Sequence, residues 1–424
     1  MVHHLYNLIL TCFLLLYIPP LLLRSLFQKK FRKQLRERLA FYSGLCLKKP
    51  IWIHAASVGE VLCSVPLVKR IKKEFPHSRM ILTTMTAAGR ETAEKHLTEV
   101  DRVLFFPMDH PLILRRAIRN LSPHLLLIAE TELWPNLLRL CGGEKIPILL
   151  FNGRISEKSF RRYSPLRFFF KDPLRSISLF LMQTEEDRGR IIRIGASPDR
   201  VLVAGNMKFD QAPPSIREEE GSEIKSLGLK GNETLLIAGS THPGEEEILI
   251  RLFKELKKTH PMLHLLLAPR HLDRIEEVER VLRSENISWR RRTSLPVEEG
   301  NPVPEVIMLD TLGELMGFYR FGTLVFIGGS LVPVGGHNPL EPLFFKKCVL
   351  FGPHMFNFLE ISRQLVEKGG AILVKDEEEL AFELTRLLAD EAECKERGEK
   401  GYQFIQSHRG ATEKVMEEIR PFLL

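Results

Sequence analysis

Short, continuous apolar runs punctuate this chain: IWIHA from Ile51, MILTT from Met80, VLFF from Val103, LLLIA from Leu125, IPILLF from Ile146, LFLMQ from Leu179 and VLVAG from Val201. Strands that are apolar on both faces and separated by helix-length segments belong to a parallel sheet with helices on either side. After Asn206 the rhythm stops. The stretch QAPPSIREEEGSEIKSLGLKGNE is polar and charged and offers no strand, so residues 211–232 read as a linker. The rhythm then restarts with LLIAGS at Leu235, LHLLLAPR at Leu263, VIMLD at Val306, TLVFIGG at Thr323, CVLFG at Cys348 and AILV at Ala371. A chain of 424 residues exceeds what one ordinary core holds. The pattern therefore predicts an α/β protein with two doubly wound, Rossmann-like domains, 41–210 and 233–424. The carboxyl ends of their strands are expected to border a cleft, and the last helix is expected to be able to pack back on the first domain.

Residues 1–40 are of another kind. Leu5 to Phe27, LYNLILTCFLLLYIPPLLLRSLF, is almost wholly apolar, and KKFRKQLRER follows with six basic residues against one acidic. This predicts a membrane anchor with a basic collar, leaving the domains on the cytoplasmic side. Pro19 and Pro20 are expected to break the helix, so that the segment either spans the bilayer or lies in one leaflet as a bent hairpin. The net charge of +8 and pI near 9.1 point to an anionic partner: nucleic acid, anionic lipid or a phosphorylated substrate. RRYSPLRFFFKDPLR, Arg161 to Arg175, suits either a bilayer interface or an ordinary core helix. Cys12, Cys46, Cys63, Cys141, Cys348 and Cys394 show neither disulfide nor zinc spacing, which fits a reducing compartment.

Chemistry concentrates where strands end. GGSLVPVGGHNPLEP, Gly328 to Pro342, carries four glycines and three prolines after an apolar run. Such backbone freedom serves either a tight turn or the close approach of a ligand. Asn338 as N-cap, Pro339 at the first helical position and Glu341 three residues after the cap read as a helix start, and hence as an anion site. GSTHPGEEE places Ser240, Thr241 and His242 before Pro243, whose ring fits a first helical turn, while APRH places Arg270 and His271 at another strand end. The three loops together are expected to ring one anion, with Glu341 offered to the hydroxyls of a sugar. There is no Walker A loop and no dinucleotide glycine fingerprint.

In the first half, ASVGEV puts Glu60 in the first turn of a helix, and ETELWPN puts Glu130 and Glu132 on a strand-end loop. A partly buried carboxylate there has the pKa of a general base. The alternatives are a helix-start acid for Glu60 and a surface loop acid for Glu132. No D-x-D signature or clustered set of histidines and carboxylates suggests a metal, so Arg270, backbone N–H groups and helix termini are expected to meet phosphate charge.

WIHAASVGEV, ETELWPN, FNGRISEKSF, GNMKFD, GSTHPGEEE, APRH, GGSLVPVGGHNPLEP and GPHMFNF resemble the motifs of the 3-deoxy-D-manno-octulosonic acid (Kdo) transferases of lipopolysaccharide synthesis, from the anchor to about Ile372. The resemblance implies a GT-B glycosyltransferase fold at the inner membrane. It also implies inverting, metal-independent transfer of Kdo from CMP-Kdo to a tetraacyl lipid A precursor, with no cofactor beyond the donor substrate. Glu60 matches the base. Ser240, Thr241, Arg270, His271, Gly335, Gly336, Asn338 and Glu341 fall to the CMP side, and Glu130, Glu132, Arg154 and Lys208 to the acceptor or Kdo side. Partners on this view are CMP-Kdo, the lipid precursor and the lipid surface, with no nucleic acid. The departure GFYRFGTLVF before the glycine loop touches strand packing only. The rival readings are another GT-B enzyme such as a nucleotide-sugar 2-epimerase, which has no use for an anchor, and a membrane-bound basic protein that binds nucleic acid.

Overall fold

The computed structural model describes residues 2–42, 47–211, 229, 233–294 and 304–423. Apart from Gln211 and Leu229, the segment read as a linker lies outside them, as does Cys46. The chain divides into two compact units, residues 1–211 with 408–424, and residues 212–407.

The first unit is built on β1 (Ile51–His54), β2 (Met80–Thr84), β3 (Arg102–Phe105), β4 (Leu125–Ala129), β5 (Ile148–Gly153), β6 (Leu179–Met182) and β7 (Val201–Val203). They form one parallel sheet in the order β3-β2-β1-β4-β5-β6-β7. β1, β2 and β4 are buried along their whole length, as continuous apolar runs require. Alternate residues divide the core. Trp52, Ile81, Leu126 and Ile128 pack on one face of the sheet, while Ile51, Ile53, Leu125 and Leu127 pack on the other. The second face is completed by the end of the chain: Val415, Met416 and Ile419 of helix Ala411–Ile419 join that cluster. Arg420 pairs with Glu74 at 2.6 Å, and Asp210 accepts the Gly410 N–H at 2.7 Å.

The second unit repeats the plan with β8 (Thr234–Thr241), β9 (Leu263–Pro269), β10 (Trp289–Arg291), β11 (Val306–Met308), β12 (Leu324–Ile327), β13 (Cys348–Phe351) and β14 (Ile372–Leu373). The order is β10-β11-β9-β8-β12-β13-β14, again parallel. β10 is an edge strand of sequence WRR that no apolar run announces. In each sheet the winding reverses beside its first strand, between β1 and β4 and between β8 and β12, and ligands of such sheets bind outside that point.

The N-terminal helix, Val2–Phe27, runs through Pro19 and Pro20 instead of breaking there. Each proline removes one N–H, and the carbonyls left without a donor belong to Leu15 and Leu16 on the exposed side. The helix is fastened to the first unit by polar contacts. Tyr6 donates to Asp109 at 3.0 Å, Asn136 donates to Asn7 at 2.7 Å, and the Thr11 hydroxyl lies 3.2 Å from His110 Nε2. Val2–Leu21 is long and apolar enough to cross a membrane. The stretch Arg161–Arg175 divides between its two readings: Phe170 is buried, Phe169 packs on His3 and Tyr6, and Phe168 is exposed.

Candidate functional site

Helix Val58–Glu74 starts at the carboxyl end of β1, capped by Ser57. The Ser57 oxygen accepts the Glu60 N–H at 3.4 Å, and in return Glu60 accepts the Ser57 hydroxyl at 2.9 Å and the Ala56 N–H at 2.8 Å. This is reciprocal capping, so Glu60 is indeed a helix-start acid. The cap does more than hold the helix, because it fixes a carboxyl that is only 8% exposed. Burial, and after it the charge of Glu130, pushes that carboxyl up to about 7. A carboxylate poised there accepts a proton from a hydroxyl at neutral pH.

Its neighbours follow β4 and β5. Glu130 directly follows β4 in a left-handed conformation, φ 52°, and pairs with Lys208 at 4.0 Å. Glu132 accepts the Trp134 indole N–H at 2.8 Å and lies 3.6 Å from His54 Nε2. Burial works to raise its pKa, but the contacts to His54 and Trp134 outweigh it and hold Glu132 below the usual carboxylate range. It is a fixed anion, not a loose surface acid. Arg154 directly follows β5, and its carbonyl accepts the Thr131 hydroxyl. The structure thus gathers Glu60, Glu130, Glu132 and Arg154 at the ends of three adjacent strands, with Lys208 joined to them through Glu130.

Two residues of this group escaped the sequence reading. His54, fully buried at the end of β1, stacks on Phe106 with ring centroids 4.0 Å apart and has Nδ1 3.1 Å from the Thr83 carbonyl. The signal was present, since a lone polar side chain at the last position of an apolar strand faces the site. Asn152, buried with φ 52°, accepts the Met207 N–H at 3.0 Å and so ties down the turn that carries Lys208. No local signal marks it.

The second unit corrects several expectations. β8 extends through Ser240 and Thr241, so these sit in the strand, and Ser240 is left-handed with φ 58°. The next helix starts at Glu245 behind Gly244, two residues later than Pro243 suggests. Glu245 is fully buried, and its carboxylate accepts four backbone N–H groups: His242 at 3.0 Å, Gly329 at 2.6 Å, Ser330 at 2.9 Å and Leu331 at 2.9 Å. The anion cradle at the head of the glycine loop therefore exists, and the protein's own carboxylate fills it. The Gly335 and Gly336 amides, expected to face a phosphate, both donate to the Gly329 carbonyl, at 3.1 and 2.8 Å. Both glycines have positive φ, and a Cβ on either would overlap the segment 355–357. Their freedom serves close packing of chain on chain. The helix after the loop is only Leu340–Leu343, with Pro339 as cap, too short to present a dipole to an anion. Asn338 instead accepts the Leu340 N–H at 3.2 Å and donates to Glu341 at 3.3 Å.

Histidines and an arginine cluster beside this loop. Arg270 and His271 directly follow β9 and are exposed. His271 meets His242 edge-on at 5.7 Å, and His242 stacks on His337, with their Nε2 atoms 2.9 Å apart. One of the two ring nitrogens donates and the other accepts, and burial lowers the pKa of both rings, which favours their neutral forms. Burial, then His242 and Arg270, pushes His337 down to about 4. Burial pushes Glu341 up to about 7 against the contrary pull of Asn338 and Arg270. An exposed guanidinium beside neutral imidazoles suits an arriving anion. Among the described residues no group of three or more His, Cys, Asp or Glu is placed to hold a metal ion.

Comparison with known proteins follows this geometry. A family model described as 3-Deoxy-D-manno-octulosonic-acid transferase (kdotransferase) matches residues 33–211. The chain is 35% identical over 420 residues to the 3-deoxy-D-manno-octulosonic acid transferase of Haemophilus influenzae, covering 97% of each. It is 31% identical over 377 residues to the transferase of that description from Rickettsia felis, covering 88% of this chain and 79% of the relative. A solved UDP-N-acetylglucosamine 2-epimerase shares the fold, with TM-score 0.60 and 14% identity over 89% of this chain and 97% of its own.

The elevated pKa of Glu60 has a stability cost with a definite sign. Since the folded value lies above the ordinary 4.5, its contribution is complete below 4.5 and is lost as pH rises through about 7. Between pH 5 and pH 8 the wild type should lose on the order of 2 kcal/mol of stability through this group. Glu60→Gln should flatten that slope in urea denaturation at the two pH values; an unchanged slope contradicts the assignment.

Proposed function

The chain belongs to the Kdo transferase family, and from that premise we propose that it transfers Kdo from CMP-Kdo to a lipid A precursor bearing four acyl chains, with inversion and without a metal ion. As a Kdo transferase it is a glycosyltransferase, acting on a Kdo nucleotide-sugar donor and an acceptor. The observation that carries the reading is Glu60, a carboxyl fixed by Ser57 and Ala56 yet pushed up to about 7.

Glu60 takes the proton of the acceptor's primary hydroxyl as its oxygen attacks the anomeric carbon of Kdo. The bond from that carbon to the CMP phosphate oxygen breaks, and CMP leaves with the electron pair. Attack opposite the leaving group inverts the anomeric centre. Arg270 and His271 meet the phosphate, the neutral His242–His337 pair offers a further donor, and Asn338 and Glu341 hold the nucleotide. On the acceptor side Glu132, held ionised by His54 and Trp134, and the Glu130–Lys208 pair orient hydroxyls and acidic groups, with Arg154 available to a carboxylate or phosphate. The outer face of helix Val2–Phe27 enters the cytoplasmic leaflet of the inner membrane, and the basic collar meets its headgroups. Enzyme and acceptor then share one surface, which raises their effective concentration.

The test is to incubate purified protein with CMP-Kdo and the tetraacyl precursor and to weigh the lipid product with and without EDTA. The expected product carries added Kdo in both; none in either rejects the reading, and loss with EDTA rejects metal independence. Glu60→Gln should retain CMP-Kdo affinity while turnover falls by roughly two to four orders of magnitude. Arg270→Ala should weaken the binding of CMP itself, and unchanged affinity removes Arg270 from the phosphate site.

A further inference from the structure

The N-terminal helix is built inside out for a protein in water. His3, Tyr6, Asn7 and Thr11 turn toward the domain, while Leu8, Ile9, Leu15 and Leu16 stand 60, 62, 70 and 76% exposed on the other side. A helix that turns most of its polar residues inward, and whose outer face is apolar but for His4 near its start, meets hydrocarbon on that face.

Beneath it lies a cavity of about 260 Å3. Leu10, Phe13 and Leu14 of the helix form one wall, and Met85, Phe106 and Trp134, which follow β2, β3 and β4, form the other. The surface this cavity presents is almost wholly apolar, and the polar side chains at its border are turned to partners in the protein. Arg38 donates to the Met85 carbonyl at 2.5 Å and lies over the Phe105 ring, and Tyr6 donates to Asp109. Asp109 also accepts the Asn136 and Leu137 N–H groups, at 3.1 and 2.9 Å. So apolar a surface costs a sugar or a headgroup its hydration, whereas an apolar chain loses nothing there. The aromatic wall is shared with the carboxylate site, since Trp134 donates to Glu132 and Phe106 stacks on His54.

We propose that this cavity seats one acyl chain of the acceptor lipid, an inference that rests on the acceptor being acylated. The chain passes from the bilayer beside the apolar helix face and lodges against Phe106 and Trp134. Its burial is then spent on holding the sugar beside Glu132 and Glu60, where remote binding energy contributes to orientation.

The experiment uses the full chain in vesicles and compares the tetraacyl acceptor with its deacylated, water-soluble sugar. Leu10→Trp and Met85→Trp fill the cavity without touching the carboxylates. Each should lower kcat/KM for the acylated acceptor at least tenfold, change the value for the deacylated one by less than twofold, and leave CMP binding and vesicle co-sedimentation as in the wild type. Equal losses on both acceptors, or no loss on either, overturn the proposal. A photoreactive group on an acyl chain, used with wild-type protein, guards against variants that misfold. Labels at Leu10–Leu14 or Phe106–Trp134 support the cavity, and labels confined to the outer helix face overturn it. A wild type that uses both acceptors equally well removes the cavity but keeps the transferase reading. A wild type that modifies neither rejects the lipid acceptor itself, and the cavity with it.

Discussion

The number of N–H groups that close on a buried carboxylate sets two glutamates of this protein apart. Each unit places a glutamate at the start of the helix that follows the first strand, Glu60 after β1 and Glu245 after β8. Glu245 receives four backbone N–H groups, two on each oxygen, and its lone pairs are spent on joining the loop after β8 to the loop after β12. Glu60 receives one N–H and one hydroxyl at comparable burial. A carboxylate stripped of water and given two donors keeps lone pairs to offer a proton, and the neighbouring charge of Glu130 raises its appetite for one. The sheets bring both glutamates to the same topological position; the hydrogen bonds leave Glu60 with lone pairs that Glu245 no longer has.

The sheets themselves were legible. Continuous apolar runs with helix-length spacing lead to two parallel sheets because nothing else buries both faces of a strand so regularly. The exception, β10, is a short edge strand of Trp289, Arg290 and Arg291, and an edge strand does not need an apolar run. The position of Glu60, Glu130 and Glu132 beyond the ends of β1 and β4 was legible too, because each follows an apolar run directly or within a few residues. Their supports were not: His54 gave a faint sign, and Asn152 acts through a backbone contact 55 residues away in sequence.

The glycine loop was misread for a physical reason. Glycine reports that something comes close to the backbone and does not report what. At Gly329 it is the rings of His242 and His337, and at Gly335 and Gly336 it is the chain from Met355 to Asn357. Glu245 was hidden in a run of three glutamates, of which Glu246 is buried as well but pairs with Arg274; only the register of the helix start singles out the one that meets the loop amides. At the other end of the chain, hydropathy marked an anchor but not its orientation. The inversion of that helix appears only once Tyr6, Asn7 and Thr11 find their partners on the domain. The fold, shared with an epimerase at 14% identity, leaves such details to the loops and the terminus, where function resides.

The claim on which the account turns is that Glu60, held near neutrality by burial and by Glu130, is the group that accepts the proton. The direct measurement is the pH profile of kcat/KM from pH 5 to pH 9 for the wild type and for Glu130→Gln. The account predicts an acidic limb near pH 7 in the wild type that moves to lower pH in the variant, because removing the neighbouring negative charge makes Glu60 easier to ionise. A limb that stays in place, or a flat profile through pH 7, contradicts it.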